Sequence, residues 1–99
     1  MAPALTLPPK ERLILELLVS AGDMYGLQLV ERSAGALKRG TVYVTLGRME
    51  AKGFVSSEQA PLPSGAIGLP RRVYRVTGLG ERVLRAWTTF VDTLALEVP

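Results

Sequence analysis

The sequence predicts a mainly α-helical domain that carries one small β-hairpin. Apolar residues recur at spacings of three and four positions in four stretches of the 99-residue chain, as the buried face of a helix requires. Two shorter stretches with strand-like alternation, residues 54–59 and 71–76, lie between the third and the fourth of these helices. A domain of this length buries only about 65% of the surface of its unfolded chain, so association with a second copy is also expected.

The first helix is predicted to begin at Pro9, because proline lacks the N–H group that would have no intrahelical partner in the first turn. Gly22 is expected to end this helix. The preceding residues 1–8 are apolar and contain proline, and they are predicted to form an N-terminal arm. The residues expected to face the core are Leu13, Ile14, Leu17, Leu18 and Ala21, and a second apolar edge carries Leu15 and Val19.

A second helix is predicted from a cap at Asp23 to about Arg32. Its inward residues are expected to be Leu29 and Val30. The connection that follows, residues 33–40, contains a single large apolar residue, Leu37, which is expected to anchor it to the core.

The third predicted helix, from about Thr41 to Lys52, has a sparse outer face. Its inward residues are Val42, Leu46 and Met49, and the residues opposite them are Val44, Gly47, Arg48 and Ala51. A glycine inside a helix costs roughly 1 kcal/mol relative to alanine. Small residues with one arginine are typical of a surface that approaches a partner closely, which favours a DNA-reading helix. The alternative is an ordinary solvated helix that tolerates a glycine.

The hairpin and the last helix follow. In the second strand Tyr74 and Val76 are expected to face inward and Arg75 outward, and the proline- and glycine-rich residues 60–70 are expected to form a long loop. Thr77 is placed to cap a final helix that runs from about residue 79 to residue 96. The apolar arc of this helix is wider than one small core needs, so part of it is expected to pack against another subunit.

Positive charge is concentrated in two parts of the chain, whose formal net charge is +3 and whose pI is about 9.7. Residues 32–52 contain five lysines or arginines and one glutamate, and residues 71–85 contain five arginines and one glutamate. If folding brings the two parts together, they form a patch suited to phosphates, with strongly salt-dependent binding. The alternative is a solvated basic face without a partner.

Several classes of function lack the residues they need. The chain has no cysteine and no histidine, and its nine carboxylates do not cluster at metal-ligand spacing. The sequence therefore predicts no metal site, no cofactor and no enzymatic activity. No apolar run reaches the roughly 20 residues of a membrane span, and no signal-peptide pattern opens the chain, so a cytoplasmic protein is expected.

Three helices followed by a two-stranded hairpin is the order of a winged helix-turn-helix. Within that order, this chain carries the motifs Tyr25-Gly26, Gly40-Thr41-Val42-Tyr43, Leu46 with Arg48-Met49-Glu50, Gly53, and Arg72-Val73-Tyr74-Arg75-Val76-Thr77 with Gly80. At these separations, over about residues 12–84, the chain resembles the PadR family of bacterial transcriptional regulators. It differs in having Lys38-Arg39 where the family usually has Ser-Pro, and Gly68-Leu69-Pro70 where the family usually has Gly-Arg-Pro, so no wing-tip arginine is carried over.

The resemblance implies a homodimeric repressor that binds double-stranded DNA and, in many members, responds to a small aromatic or hydrophobic effector. Residues 9–77 would form the winged DNA-binding domain, with the third helix in the major groove and the wing on the flanking backbone. Residues 78–99 would form the dimerisation helix. The alternative is a winged-helix module that binds another protein and has no specific contact with DNA.

Residue roles follow from the way such helices dock, because the N-terminal half of the reading helix contacts base edges. The expected base contacts are Thr41, Val44 and Arg48, with Arg48 the candidate guanine reader. The expected phosphate contacts are Lys38, Arg39, Tyr43, Arg71, Arg72 and Arg75, although Tyr43 could serve in packing alone. The chain contains no asparagine, so thymine-methyl contacts and DNA shape are expected to carry more of the specificity.

A dimer interface is expected along the last helix and the second edge of the first. Its predicted residues are Leu15, Val83, Leu84, Trp87, Phe90, Val91 and Leu94. Trp87 and Phe90 are candidates for an effector pocket between the subunits, where a flat apolar ligand could stack. The alternative is that Trp87 is an aromatic anchor in a packed interface.

Overall fold

The computed structural model describes residues 7–61 and 71–97, with side chains up to residue 95. Within them the elements are α1 (Pro9–Ala21), β1 (Met24–Tyr25), α2 (Gly26–Arg32), α3 (Val42–Ala51), β2 (Val55–Gln59), β3 (Arg72–Val76) and α4 (Gly78–Glu97). The strands form one antiparallel sheet in the order β1-β3-β2. The predicted class, mainly helical with a small β element, is confirmed. Most of the predicted arm (residues 1–6) and of the predicted loop (residues 62–70) lies outside the described residues.

The ends of α1 are where the sequence predicts them. Pro9 occupies the first helical position, and the N–H of Arg12 donates to the carbonyl of Pro8 at 2.9 Å. At the other end Gly22 adopts a φ of +93°, a conformation that side-chain-bearing residues rarely take, and its N–H donates to the carbonyl of Leu18 at 3.0 Å.

The segment between α1 and α2 differs from the prediction, because Asp23 does not cap α2. Met24 and Tyr25 instead form β1, which pairs with Tyr74 and Val73 of β3. The helix begins at Gly26, and the backbone N–H of Tyr25 donates to the side-chain oxygen of Gln28 at 2.8 Å. A two-residue strand is too short to produce an alternating pattern, so periodicity does not predict it.

The core is formed by twelve buried apolar residues of the described chain: Leu7, Ile14, Leu15, Leu18, Met24, Leu29, Leu37, Val42, Leu46, Met49, Val55 and Tyr74. Leu15 was expected at a subunit interface, and that placement is wrong. Its side chain is 0% exposed within the single chain, because α1 packs against α2, α3, β3 and α4. Ala21, expected in the core, is exposed at the end of α1, whereas Val19 remains 49% exposed as the second edge predicts.

The position of α3 is fixed at both ends. Before it, the Ser33 hydroxyl accepts from the N–H of Leu37 at 2.9 Å, which holds the connection so that Leu37 enters the core as predicted. After it, Gly53 has a φ of +83° and ends the helix. The Nζ of Lys52 lies 3.0 Å from both carboxylate oxygens of Glu11, whose side chain is 5% exposed, and this ion pair joins the end of α3 to the start of α1.

The start of α4 is joined closely to the residues that follow α3. The Thr77 hydroxyl accepts from the N–H of Gly80 at 3.0 Å, as the predicted cap requires, and the backbone N–H of Thr77 donates to the carbonyl of Phe54 at 3.0 Å. Gly80 is buried, and a Cβ atom there would overlap the carbonyl oxygen of Phe54 and come within 2.9 Å of Val76. The backbones approach so closely that only glycine fits.

None of the helices in residues 7–61 and 71–97 combines the length and the apolar character that a bilayer span requires.

Two glycine substitutions should change stability in opposite directions. Gly80→Ala should lower the free energy of unfolding by about 1–3 kcal/mol, because the added methyl group has no space. Gly47→Ala should raise it by roughly 1 kcal/mol, because a Cβ at this exposed helical position meets nothing within 4 Å. Urea denaturation followed by circular dichroism measures both, and a Gly80→Ala protein as stable as the unmodified chain would contradict the close approach.

Candidate nucleic-acid interface

The outer face of α3 is open to solvent, as the sequence predicts. Val42, Leu46 and Met49 are buried at 0–1% exposure, whereas Val44 is 56% exposed. The other outward residues, Thr41, Gly47, Arg48 and Ala51, are also exposed. The face therefore presents a low surface of small residues from which the Arg48 guanidinium projects, and a partner can approach its backbone closely.

Lys38 and Arg39 lie directly before this face. The carbonyl of Lys38 accepts from the N–H groups of Thr41 and Val42, at 3.1 and 2.9 Å, so the helix itself begins at Val42. The side chains of Lys38 and Arg39 are exposed. Both cations are thus held on the turn that leads into the exposed helix face.

A second arginine, Arg72, lies on the inner face of the β2–β3 hairpin, which faces α3. Ser57 pairs with Tyr74 in the antiparallel register, so its side chain shares a face with Tyr74 and Arg72. The Nε–H of Arg72 donates to the Ser57 hydroxyl at 3.1 Å, and that hydroxyl donates to the carboxylate of Glu50 on α3 at 2.9 Å. The first hydrogen bond lies within the hairpin, and the second connects the hairpin to the exposed helix.

Arg75 is not part of the same group. It lies on the opposite face of β3 from Arg72, which agrees with its predicted outward direction. There its guanidinium is 3.2 Å from the carboxylate of Asp23, and both side chains are about half exposed. Because β1 and β3 are paired, Asp23 falls beside Arg75, and the charge of Arg75 is partly balanced away from α3.

A groove of about 750 Å³ lies between the start of α2, the start of α3 and β3. Its lining residues are Tyr25, Leu27, Gln28, Glu31, Tyr43, Arg71, Arg72 and Tyr74. The guanidinium of Arg71 lies 5.2 Å from the centre of the Tyr25 ring, within the range of a cation–π contact. Three tyrosines and two arginines thus line one concave surface next to the exposed helix face.

Gly26 makes room for one wall of this groove. A Cβ atom at Gly26 would lie 2.6–2.7 Å from the ring and hydroxyl of Tyr43, so the ring packs directly on the helix backbone. Tyr43 is nevertheless 49% exposed, so it has both a packed and a solvent-facing side. The sequence predicted a role for Tyr43, Arg71 and Arg72 but not the groove, and its only sign of Tyr25 was the Tyr25-Gly26 motif.

The hydroxyl of Tyr74 at the base of the groove holds its proton tightly. Burial raises the pKa of Tyr74 above its ordinary value, and the negative charge of Glu50 raises it further, although Arg72 acts in the opposite direction. At neutral pH this side chain is therefore a neutral phenol that can donate a hydrogen bond.

The apolar residues of α4 divide into two sets. Val83, Leu84 and Trp87 are partly buried and pack against the core of the same chain. Phe90, Val91 and Leu94 are 54%, 39% and 50% exposed and follow each other along one side of the helix. The predicted interface set is therefore half covered within the single chain, and its outer half is open.

Trp87 joins the two sets. Its ring centre is 5.8 Å from that of Phe90, with the planes tilted by 40°. Its indole Nε1 is buried and has no hydrogen-bond partner among the described residues. A small concave surface of about 170 Å³ beside it is lined also by Arg12, Glu16 and Val91.

A family model described as transcriptional regulator PadR-like matches residues 14–86. The chain belongs to the PadR-like family. A PadR family transcription regulator from Clostridium difficile R20291 is 25% identical, with a TM-score of 0.72, over 91% of this chain and 97% of that one. No curated protein matches the sequence.

Two further solved structures share the fold of this PadR-like chain. Bacillus subtilis PadR in complex with operator DNA is 20% identical, with a TM-score of 0.70, over 84% of this chain and 48% of that one. The PcaV transcriptional regulator from Streptomyces coelicolor, in complex with its natural ligand, is 22% identical, with a TM-score of 0.73, over 96% of this chain and 62% of that one. The fold is thus a winged helix of transcription regulators, in which β2 and β3 form the wing. Within the described part of the PadR-like chain, no group of three acidic residues is placed to hold a metal ion.

Removal of the Tyr74 hydroxyl should change the response of the PadR-like protein to alkaline pH. Because the folded state keeps the proton, unfolded chains lose protons above about pH 10 while folded chains do not, and the free energy of unfolding falls as pH rises. Tyr74→Phe should lack this part of the fall. Chemical denaturation at pH 8–11 measures the difference between the two proteins, and parallel pH profiles would contradict the raised pKa.

Proposed function

We propose that this PadR-like protein is a homodimeric, sequence-specific DNA-binding repressor that reads a two-fold symmetric operator through α3. The observation that carries the proposal is the exposed outer face of α3, which is small, apolar and marked by one arginine. A DNA major groove admits a helix with such a face, and the operator complex of Bacillus subtilis PadR supports this use of the fold. Because its ligand is chromosomal DNA, we place the protein in the cytoplasm.

Two residues of α3 and its N-cap residue Thr41 carry base recognition in this proposal. Arg48 has a guanidinium that can donate two parallel hydrogen bonds to O6 and N7 of guanine. Val44 and the methyl group of Thr41 are suited to contact with thymine methyl groups. Gly47 between them keeps the helix backbone free to approach the base edges.

Phosphates of the flanking backbone would lie along the groove and the turn before α3. Arg71, Arg72 and the exposed side of Tyr43 line the groove, and Lys38 and Arg39 extend the positive surface to the start of the helix. Charge-assisted hydrogen bonds to phosphate oxygens fix the register of the protein but carry no sequence information. Arg75 is the weakest phosphate candidate, because it faces away from α3 and is paired with Asp23.

The exposed side of α4 is our candidate for the dimer interface. Phe90, Val91 and Leu94 form an apolar strip that a single chain leaves open, and burial of such side chains contributes about 1.5–3 kcal/mol each. Two-fold pairing through this strip would present two copies of α3 to one duplex. Their separation has to match one helical turn of DNA, about 34 Å, for both to enter the major groove.

A small aromatic or hydrophobic effector would act at this interface. The Trp87 and Phe90 rings are adjacent, and a flat ligand that stacks there would alter the distance between the two α3 helices. PcaV, which shares the fold, is known in complex with its natural ligand. The alternative is that Trp87 only packs in the interface, and unchanged tryptophan fluorescence across a panel of aromatic compounds would favour that alternative.

The main rival is a winged-helix module that binds another protein. Selection of bound sequences from a random duplex pool separates the two functions, because a repressor of this design would enrich a two-fold symmetric site. Retention on DNA should also fall steeply with added salt. Enrichment of no sequence would favour the protein-binding module.

Arg48→Ala and Arg72→Ala should weaken operator binding in different ways. Loss of Arg48 should cost about 1–3 kcal/mol on the preferred operator and relax one base position. Loss of Arg72 should weaken binding to every duplex similarly and reduce the salt slope by about 1, because a phosphate contact is insensitive to sequence. Titration of matched and scrambled duplexes at several salt concentrations measures both effects.

Arg82→Ala is the matched control for these two variants. Arg82 is an exposed arginine at the start of α4, outside the outer face of α3 and outside the groove. Its substitution removes the same charge as the other two variants. It should change binding little. Equal losses on matched and scrambled duplexes after Arg48→Ala would remove Arg48 from base reading.

Phe90→Glu should convert the dimer into monomers. The substitution places a charge at the centre of the exposed apolar strip, and an unpaired charge is costly to bury in an interface. Sedimentation velocity measures the change, and helical content should be unaffected because Phe90 is 54% exposed in the single chain. Thr93→Glu, at another exposed position of α4, is the charge control, and an equal loss of dimer there would argue against a specific strip.

A further inference from the structure

The wing carries a hydrogen-bonded relay that ends at one of its arginines. Glu50 on α3 accepts from the Ser57 hydroxyl on β2, and Ser57 accepts from the Nε–H of Arg72 on β3. A guanidinium has five N–H donors, and this relay uses one of them. The two terminal nitrogens of Arg72 are therefore available while the root of the guanidinium is fixed, and Arg72 lines the groove.

Fixing an arginine before it binds changes what binding costs. An arginine side chain loses roughly 2 kcal/mol of rotamer entropy when it is held in one geometry. A side chain that is already held in the free protein loses less of this entropy on binding. The relay also joins the hairpin to α3, so it constrains the position of the wing relative to the exposed helix face.

The negative charge of Glu50 is unexpected near the proposed phosphate-binding surface. A carboxylate close to a surface that binds phosphates opposes binding by simple Coulomb repulsion. Glu50 is exposed, and its carboxylate lies two hydrogen bonds from the Arg72 guanidinium, so its repulsion of a phosphate bound there would by itself favour its absence. As the acceptor that orients Ser57, it has a use that offsets the repulsion.

We propose that Glu50 and Ser57 are positioning residues that hold the Arg72 guanidinium at the edge of the groove, ready for a DNA phosphate. Neither residue needs to touch DNA, since each acts through Arg72. The inference rests on the proposed DNA-binding function and adds to it the way in which the wing arginine is prepared for its contact.

A double-mutant cycle tests this directly. Ser57→Ala should weaken DNA binding about fivefold in the otherwise unmodified protein and should have almost no effect when Arg72 is already alanine, because coupled residues are non-additive. Ser57→Thr retains the hydroxyl and should restore most of the affinity. Equal effects of Ser57→Ala in both backgrounds would overturn the positioning role.

Substitution of two glutamates distinguishes the positioning role of Glu50 from simple charge repulsion, because the two explanations predict opposite changes in DNA affinity after Glu50→Ala. Glu50→Ala and Glu58→Ala remove the same charge, but Glu58 is exposed on β2 on the opposite face from Ser57. Glu58→Ala should leave binding unchanged or strengthen it slightly, whereas Glu50→Ala should weaken it. Glu50→Gln, which keeps an acceptor for Ser57, should recover most of the loss. Stronger binding after Glu50→Ala would overturn the proposal.

NMR spectroscopy of the free protein tests the relay without DNA. The Nε–H of Arg72 should give a resolved NMR signal with slowed exchange, and Ser57→Ala should abolish the slowing while the backbone spectrum stays folded. Fast exchange in the unmodified protein would overturn the relay. Failure of the unmodified protein to bind any duplex would overturn the proposed function as well, whereas additive losses in a protein that binds DNA would overturn the positioning alone.

Discussion

Burial of the inner side of α3 is the constraint on which the other features of the molecule depend. Val42, Leu46 and Met49 are at most 1% exposed, and full burial of such side chains contributes about 1.5–3 kcal/mol each. The ion pair between Lys52 and Glu11 holds one end of the helix. A rotation of α3 that broke the apolar contacts would cost more free energy than this partly exposed ion pair contributes. The rotation of α3 is thereby set by the core, and the same rotation turns its small-residue face to solvent.

The start of α4 is joined to the end of α3 by a short path. Phe54 follows the helix and donates its N–H to the carbonyl of Met49 at 2.9 Å, while its own carbonyl accepts from Thr77 at 3.0 Å. Gly80 then packs on the same Phe54 carbonyl. Backbone contacts of this kind leave little freedom between the two helices. In the proposed dimer, a shift in how the two α4 helices pair would therefore be passed to the α3 helices as a rigid movement, which is the form of coupling that a bistable interface can transmit.

Periodicity predicted the helices well because each of them buries one side. The stripe of α3, the Thr77 cap and the terminating glycines at 22 and 53 are local signals, and all agree with the structure. The predictions that were wrong or missing concern features that depend on contacts between distant residues. Leu15 lies on the second edge of α1, and nothing in its neighbourhood of the sequence shows that the elements packed against α1 bury it. The groove is likewise built from three separate segments, so its tyrosines share a surface only after β1 has paired with β3.

Pairing within the chain also changes how its basic composition should be understood. Among the side chains that the structure describes, three of the twelve lysines and arginines are within 4 Å of a carboxylate: Arg12 with Glu16, Lys52 with Glu11, and Arg75 with Asp23. Those that lie on the outer face of α3, before it or in the groove are Lys38, Arg39, Arg48, Arg71 and Arg72. Each phosphate neutralised on duplex DNA contributes about −0.9 to the salt slope. If Arg48 contacts a base as proposed, the four remaining cations allow a salt slope near −4 per protomer of the proposed dimer. The formal net charge of +3 would suggest a different slope.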